Sequence, residues 1–493
     1  SVLMMHGSPM YFIGPGTTTG GIRGCQNRLT DIMDCFFIAH PKSGGKEGEE
    51  SNRIMYYYPK SDSIDKQTEI TGFAEAVVNF TDNFVPVPTA EKSKLSEEVP
   101  FRDVVTAKTV HVYIMVEQAQ FMLGIIMNKK AALDMDYTLF TPTLRAILIK
   151  AHTMFRLFFG NFTQFHKDDV VHFKDRIEYF FSRYLSVQRV YNMPLLDYLS
   201  GVNFLRLDDS SLFCDIDAFT TELTEQIPAV DKLIFLYQES LLYYTVPKRD
   251  LPALFHYLSH NLLPMSLRTE LEPTSHVMSR PSGHQGKFVT GPLEYTTDEQ
   301  IRGEDSFPTV YLSDDEESIT FNKYHLIAYR SLNATVCMFV KGDVEISRHL
   351  MRDIEGCLGT ELPHLASSIA DSCSKNGWEG TRSEIDFHYI YFNPSSLSLR
   401  TTFLDATTAG GPPSVPASVH KLACASFDKL MDDREDFGEC CVKAESEWWI
   451  FMKKANGRSL VLFLPPSSVS NLTEIHSKVQ SIIRTYFQSI FLI

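Results

Sequence analysis

The chain has 493 residues, 44% of them hydrophobic, and a formal net charge of -15 at pH 7. A chain of this length predicts about three domains of roughly 150 residues each. Binding to nucleic acid needs a dense Lys/Arg face, which an acidic surface would oppose, so we do not expect a nucleic acid partner. Its nine cysteines show no metal-site spacing, and no apolar run approaches about 18 residues. The sequence therefore predicts reduced cytosolic thiols, no metal or other cofactor and no transmembrane helix.

A Gly/Thr-rich lead, residues 1–27, is expected to be disordered. The first structured unit, residues 28–200, opens with two aromatic-rich strands. The turn between them contains Lys42, Gly45 and Lys46, but no Ser or Thr follows Lys46, and the turn joins two strands instead of a strand and a helix. It therefore predicts an exposed hairpin turn and not a phosphate loop.

A helix is predicted next, at residues 69–84. Apolar residues at three- and four-residue steps predict its buried stripe: Ile70, Phe73, Val77, Phe80 and Phe84. The opposite side is polar and carries Glu75, Asn79, Asp82 and Asn83. Strands at 110–116 and 120–126 and two long amphipathic helices complete the unit.

A second unit, residues 201–375, repeats the order of hairpin and helix. Asp250 is predicted to cap the N-terminus of that helix. A Pro/Gly/Ser-rich insert at about 269–286 is expected to be disordered. Three further strands are predicted, followed by a helix from Ile346: 307–312, 324–329 and 335–340.

A third unit, residues 385–493, begins with another aromatic hairpin and contains a second insert at about 405–416. Asn456-Gly457 lies between two apolar runs and predicts a type I′ turn, because both central positions of that turn need positive φ. The last helix carries an apolar stripe from Leu472 to Ile490.

The order of strand, strand, helix, three strands and one or two helices is the plan of a longin domain. The predicted fold is therefore α+β, with three tandem longin domains, each a five-stranded antiparallel sheet flanked by helices. An exposed sheet edge carries unpaired N–H and C=O groups, so we expect such domains to pair with a partner edge to edge.

Three tandem units with this plan, and with particular segments in this order, resemble the Ccz subunits of Mon-Ccz complexes. Those segments are FFIAHP at 36–41, TGFAEAVVNFT at 71–81, RIEYFFSRYL at 176–185, GKFVTGPL at 286–293 and YIYFN at 389–393. The resemblance implies half of a heterodimeric guanine-nucleotide exchange factor for the late-endosomal Rab GTPase. It implies a Mon subunit as partner and, in animals, a further scaffold subunit.

The same resemblance implies roles in endosome maturation, autophagosome maturation and lysosomal fusion. The chain would be cytosolic and recruited to endosomal, autophagosomal and lysosomal membranes through the assembled complex. An exchange factor acts by binding, because it holds the nucleotide-free GTPase more tightly than the nucleotide-bound form. No catalytic residue is therefore predicted.

The predicted GTPase or partner surface is the polar side of the first helix together with the adjacent hairpin: Glu75, Asn79, Asp82, Asn83, Lys42, Lys46 and Tyr57. For each of these residues the alternative is an ordinary solvated surface. A membrane contact is predicted at the tip of the hairpin in the third unit, with a solvated turn as the alternative: Lys453, Lys454 and Arg458.

Two other classes of protein are alternatives to the exchange factor. His40, His111 and His152 could join carboxylates in a hydrolase, but no GxSxG, HExxH or Walker A motif occurs. A longin-type adaptor or scaffold without exchange activity, such as Inturned, shares the three-domain plan and stays open as an alternative.

Overall fold

The computed structural model describes residues 26–44, 48–82, 101–205, 207, 210–264, 286–291, 307–316, 318, 320–375, 385–404, 412–432, 435–469 and 471–487. The predicted lead and the two predicted inserts lie largely outside these residues. The described chain forms three large antiparallel sheets of five, six and five strands, together with a two-stranded ribbon. The α+β class and the three longin-type sheets are thus confirmed, and the second sheet has one strand more than predicted.

The strands of the first region are β1 (Gln26–Arg28), β2 (Met33–Ala39), β3 (Ile54–Tyr58), β4 (Phe101–Val105), β5 (Thr109–Val116), β6 (Phe121–Asn128) and β7 (Arg189–Tyr191). Its helices are α1 (Leu29–Ile32), α2 (Ile64–Asp82), α3 (Lys129–Asp134), α4 (Thr141–Phe159), α5 (Phe162–Asp168), α6 (Val170–Val187) and α7 (Pro194–Leu199). β1 and β7 form the ribbon.

The first sheet has the order β3-β2-β6-β5-β4. Side chains alternate between its faces, so one face packs against α2 and the other against α4 and α6. On the α2 face, Gly124 leaves room for an aromatic ring: a Cβ there would lie 2.3 Å from the ring of Phe37. This glycine therefore allows large rings to fill the space beneath a helix that presents small residues.

The second region contains the strands β8 (Val230–Tyr237), β9 (Ser240–Tyr244), β10 (Lys287–Phe288), β11 (Thr309–Ser313), β12 (Phe321–Ser331) and β13 (Ala334–Lys341). Its helices are α8 (Ser210–Gln226), α9 (Leu251–Tyr257) and α10 (Arg348–Lys375). The sheet order is β10-β12-β13-β8-β9, and β11 also pairs with β12. One face packs against α8 and α10, and the other packs against α9.

Helix α4 joins the first two sheets through a single hydrophobic core. Its Leu144, Leu148 and Phe155 belong to the same buried cluster as Leu123 of the first sheet and Leu326 of the second. The helix also contacts α7 and α9. The first two longin units therefore do not have separate cores on this side, because both bury apolar surface against the same helix.

Asp250 lies at the junction of the first two units and does not cap a helix. It precedes α9 with helical dihedrals and makes no side-chain cap hydrogen bond, so the predicted cap is wrong. Its carboxylate instead accepts hydrogen bonds from Arg156 of α4, at 3.2 Å, and from the backbone N–H and hydroxyl of Ser313, at 2.9 and 2.6 Å. The Arg156 guanidinium also stacks over the Phe321 ring, 4.3 Å from its centroid.

The third region contains β14 (His388–Asn393), β15 (Ser398–Thr401), β16 (Phe437–Lys443), β17 (Trp449–Ala455) and β18 (Arg458–Leu464). The helices α11 (Ala417–Asp432) and α12 (Leu472–Tyr486) pack on opposite faces of its sheet, whose order is β15-β14-β18-β17-β16. Asn456 and Gly457 have φ of 50° and 75°, which confirms the predicted positive-φ turn. Leu195 of α7 joins the α11 core, so a helix from the first region helps to build the third.

Substituting Asp250 with Ala should lower the free energy of unfolding by about 3–5 kcal/mol, because the largely buried guanidinium of Arg156 and the buried hydroxyl of Ser313 would both lose their acceptor. Urea denaturation of the purified chain measures this change. The matched control is Glu239→Ala in the exposed β8–β9 turn, which should stay within about 0.5 kcal/mol of the wild type. If Asp250→Ala lowered the free energy of unfolding by less than about 1 kcal/mol, water would already be hydrogen bonding to the groups around Asp250, and the prediction would be wrong.

Candidate functional site

The outward side of α2 is an exposed surface that carries large apolar side chains. The helix begins at Ile64, five residues before the predicted start, and turns Thr71, Ala74 and Val78 toward the sheet. We call its exposed side the α2 outer face, which consists of Asp65, Glu69, Gly72, Phe73, Ala76, Asn79 and Phe80. The first two of these residues are acidic and the remaining five are apolar, small or amide.

The structure reverses the predicted orientation of the two central phenylalanines. Phe73 is 47% exposed and Phe80 is 65% exposed, so both lie outside the buried stripe in which they were predicted. The space below the helix is already filled by Phe37, Tyr57 and Tyr113, and it accepts only smaller side chains. Phe84, the last member of the predicted stripe, lies outside the described residues.

Near Phe73 the surface is open. The Phe73 ring meets the edge of His111 on β5 at a centroid distance of 6.0 Å. A Cβ added at Gly72 would have nothing within 4 Å. Large exposed rings beside such small residues form a shallow apolar surface that another protein can approach closely.

The predicted polar site residues have different environments. Asn79 lies on the α2 outer face and Lys42 is exposed in the hairpin. Glu75 is only 17% exposed in its side chain and forms an ion pair with Arg53 at 2.7 Å. Tyr57 is 5% exposed and donates its hydroxyl hydrogen to Asp62 at 3.1 Å, so its prediction as a contact residue does not fit its position. Lys46, Asn83 and the side chain of Asp82 lie outside the described residues.

The Arg53–Glu75 pair connects the hairpin to α2. Arg53 lies in a 3-10 turn just before β3, and its guanidinium also donates to the carbonyl oxygen of Gly44 in the hairpin. The structure therefore brings the predicted hairpin and helix together. It does so by using the carboxylate of Glu75, and this leaves that group less available to a partner.

The three basic residues predicted to contact a membrane do not form one cluster. Lys453 and Lys454 are consecutive in a strand and so point to opposite faces of the sheet. Lys453 forms an ion pair with Glu439 at 2.7 Å. Lys454 is 8% exposed and donates to the carbonyl oxygen of Leu430 near the end of α11, where a cation is favourable. Lys454 therefore does not face outward as predicted, and Arg458 is half-buried.

The three candidate hydrolase histidines occupy separate places. His40 stacks on His166 at 4.2 Å, and burial, with His166 as a smaller cause, lowers the pKa of His40. His111 hydrogen bonds to Thr109 and Tyr113, and burial lowers its pKa. These side chains are part of the packing of the sheet and its connections.

His152 binds the carboxylate of Glu117 at 2.9 Å. Burial raises the pKa of Glu117, but hydrogen bonds from His152 and Thr163 outweigh burial and hold it below its ordinary value. The same carboxylate accepts the backbone N–H groups of Phe162 and Thr163 at the start of α5. This cluster fixes the β5–β6 turn against α5 and has a structural role.

Within the described ranges, no group of three or more His, Cys, Asp or Glu side chains is arranged to hold a metal ion. The helices in those ranges are too short or too polar to cross a bilayer.

Known protein families match all three units. The family model described as the first longin domain of INTU, CCZ1 and HPS4 matches residues 33–160. The models described as Intu longin-like domain 2 and Intu longin-like domain 3 match residues 230–359 and 383–482. The chain is therefore a protein with three longin-like domains in tandem.

Curated relatives match nearly the whole chain. Vacuolar fusion protein CCZ1 homolog from Xenopus tropicalis is 28% identical over 485 residues, covering 94% of this chain and 98% of the relative. The homolog from Nematostella vectensis is 28% identical and covers 92% and 97%. The homolog from Dictyostelium discoideum is 21% identical over a similar span. The chain is thus similar over nearly its whole length to vacuolar fusion protein CCZ1 homologs, and this similarity supports a role in vesicle trafficking.

Proposed function

We propose that this chain is one subunit of a heterodimeric guanine-nucleotide exchange factor for the late-endosomal Rab GTPase, with a Mon subunit as its partner. The complex would promote early-to-late endosome conversion, autophagosome maturation and lysosomal fusion, with a further scaffold subunit in animals. Similarity to the CCZ1 homologs over nearly the whole chain supports the class. The observation that carries the proposal is the exposed pair Phe73 and Phe80 on the first longin domain.

Such an exchange factor needs a binding surface and no nucleophile. Tight binding to the nucleotide-free GTPase weakens nucleotide affinity by the same factor, because the thermodynamic cycle must close. In structural terms, the factor holds a switch segment away from the phosphates and Mg²⁺ that this segment normally covers. A rigid scaffold is suited to this task, and α4 supplies rigidity by joining two domains through one core.

We assign the apolar part of the α2 outer face to the first longin domain of the Mon subunit. Two exposed phenylalanines would be buried on association, and the small residues Gly72 and Ala76 beside them allow a close approach. The acidic first turns, with Asp65 and Glu69, would form a polar rim. We propose that Asn79 of the same face and the hairpin residue Lys42, which are both exposed, contact the GTPase.

Replacing both Phe73 and Phe80 with Asp should weaken binding to the Mon subunit by roughly 30-fold or more, because buried aromatic anchors dominate interface energies. Biolayer interferometry with the purified subunits measures the affinity. The matched control is Leu133→Asp on α3, which changes a side chain that is 76% exposed in the same unit and should leave affinity within about threefold. Equal binding by the phenylalanine variant and the control would contradict the assignment.

Alanine at Asn79 should slow GDP release from the Rab by about fivefold or more while the heterodimer stays intact. Glu75→Ala is expected to slow release too, and Arg53→Ala is its matched control because it breaks the same ion pair from the other side. A larger effect of Glu75→Ala would indicate a direct contact with the GTPase. Release of fluorescent GDP measures all three variants, and an unchanged rate for Asn79→Ala would reject its role.

Membrane contact through the third-unit hairpin is proposed for Lys453 and Arg458 only. The substitution Arg458→Glu reverses the charge at this position and preserves the Lys453–Glu439 ion pair. It should weaken recruitment of the complex to anionic liposomes by roughly tenfold, since each basic side chain near the membrane contributes about 1 kcal/mol of binding free energy. Arg484→Glu, at an exposed position of α12, makes the same change in net charge and serves as the control. Equal losses with both variants would point to net charge and not to this hairpin.

A longin-type adaptor without exchange activity is the second candidate. It is favoured by one observation: the models that match the second and third domains carry the name Intu. The two candidates differ in one measurable property, the rate of GDP release from a panel of Rabs in the presence of the intact heterodimer. Acceleration of one Rab supports the exchange factor, and no acceleration with any Rab supports the adaptor.

A further inference from the structure

A short segment between the first and second domains lies between two sheets. We call residues 201–205 the strap. On one side, Val202 donates its N–H to the carbonyl oxygen of Leu397 at 2.8 Å and accepts the N–H of Leu399 at 2.9 Å. Val202 and Ser398 thus form a parallel bridge with the edge strand β15 of the third sheet.

On its other side the strap pairs with the second sheet. Leu205 donates its N–H to the carbonyl oxygen of Leu241 at 2.9 Å, and Leu241 donates to that of Asn203 at 2.8 Å. Phe204 and Leu241 form a parallel bridge with β9, which is the edge strand of the second sheet. The strap therefore occupies one edge of each sheet at the same time.

Side-chain packing holds the strap in this position. Val202 is fully buried and belongs to the core that α4 organises. A Cβ at Gly201 would lie 2.3 Å from the Cβ of Leu399, so only glycine allows so close an approach to β15. The side-chain amide of Asn203 also donates to the hydroxyl of Ser240, at the start of β9, at 2.9 Å.

We propose that the strap is a built-in edge cap: it joins the second and third sheets through their edge strands and keeps β9 and β15 from pairing with another polypeptide. Unpaired sheet edges attract other strands, and natural proteins cover them for that reason. In this chain a segment of five residues covers two edges. Strand addition by a partner is thereby directed to the other edges of the sheets.

Proline substitutions test the two sides separately, because proline removes the N–H donor. Val202→Pro should speed amide exchange in β15 by about tenfold and leave β9 unchanged. Leu205→Pro should speed amide exchange in β9 by about tenfold and leave β15 unchanged. Val202→Ala and Leu205→Ala keep the N–H and serve as matched controls. Hydrogen exchange of the full chain, followed by mass spectrometry, resolves both strands. A general loss of stability would speed exchange in both strands in every variant and would overturn the proposal.

The double variant Val202→Pro/Leu205→Pro tests the capping role itself. With both edges released, the chain should self-associate at micromolar concentrations at which the wild type and the double alanine variant do not. Light scattering coupled to size-exclusion chromatography measures this. Faster exchange without self-association would overturn the capping role. If the double proline chain does not fold, Gly201→Ala provides a milder variant, which should speed amide exchange in β15 alone.

Discussion

The structure depends first on the burial of α4 on more than one side. Ten of its 19 residues are buried, and they contact β5 and β6 of the first sheet, β11 of the second, and the neighbouring helices α7 and α9. A helix that packs on a single sheet needs only one apolar stripe. Because α4 has a wider apolar surface, the first two domains share one core. Arg156 adds a polar contact at the same junction, through Asp250.

Two connections then place the third domain relative to the first two domains. Helix α7 packs against α4 and contributes Leu195 to the core of the third sheet, while the strap pairs with β15. Edge pairing, expected between this chain and a partner, thus also occurs within the chain. As a result the surfaces left for partners include the outer edges of the sheets and the α2 outer face.

The α2 outer face shows how a helix can carry two apolar stripes of different kinds. Ala74 and Val78 satisfy the helical period as well as Phe73 and Phe80 do, and the sheet below takes the smaller pair because large rings already fill its surface. The larger pair is left exposed on the domain that matches the first longin domain of INTU, CCZ1 and HPS4. Exposed aromatic residues of this size are the type that protein interfaces bury.

The sequence by itself determined the order of strands and helices, the threefold repetition of the longin plan and the Asn456-Gly457 turn. These features follow from local periodicity and turn chemistry, which neighbouring residues specify. The sequence patterns do not predict the helices α8 and α11 or the edge strands β4 and β16. The edge strands have weak apolar patterns because little of their surface is buried, with alternate residues exposed in β16.

Only the tertiary structure decided which stripe of α2 is buried, that Asp250 binds Arg156 instead of capping a helix, and that Lys454 points inward to Leu430. It also decided that the strap covers two sheet edges. In each case the side chain or backbone group has several partners that local sequence permits equally. The choice is made by residues distant in the chain, because they determine which space is already filled and which hydrogen-bonding groups would otherwise stay unpaired.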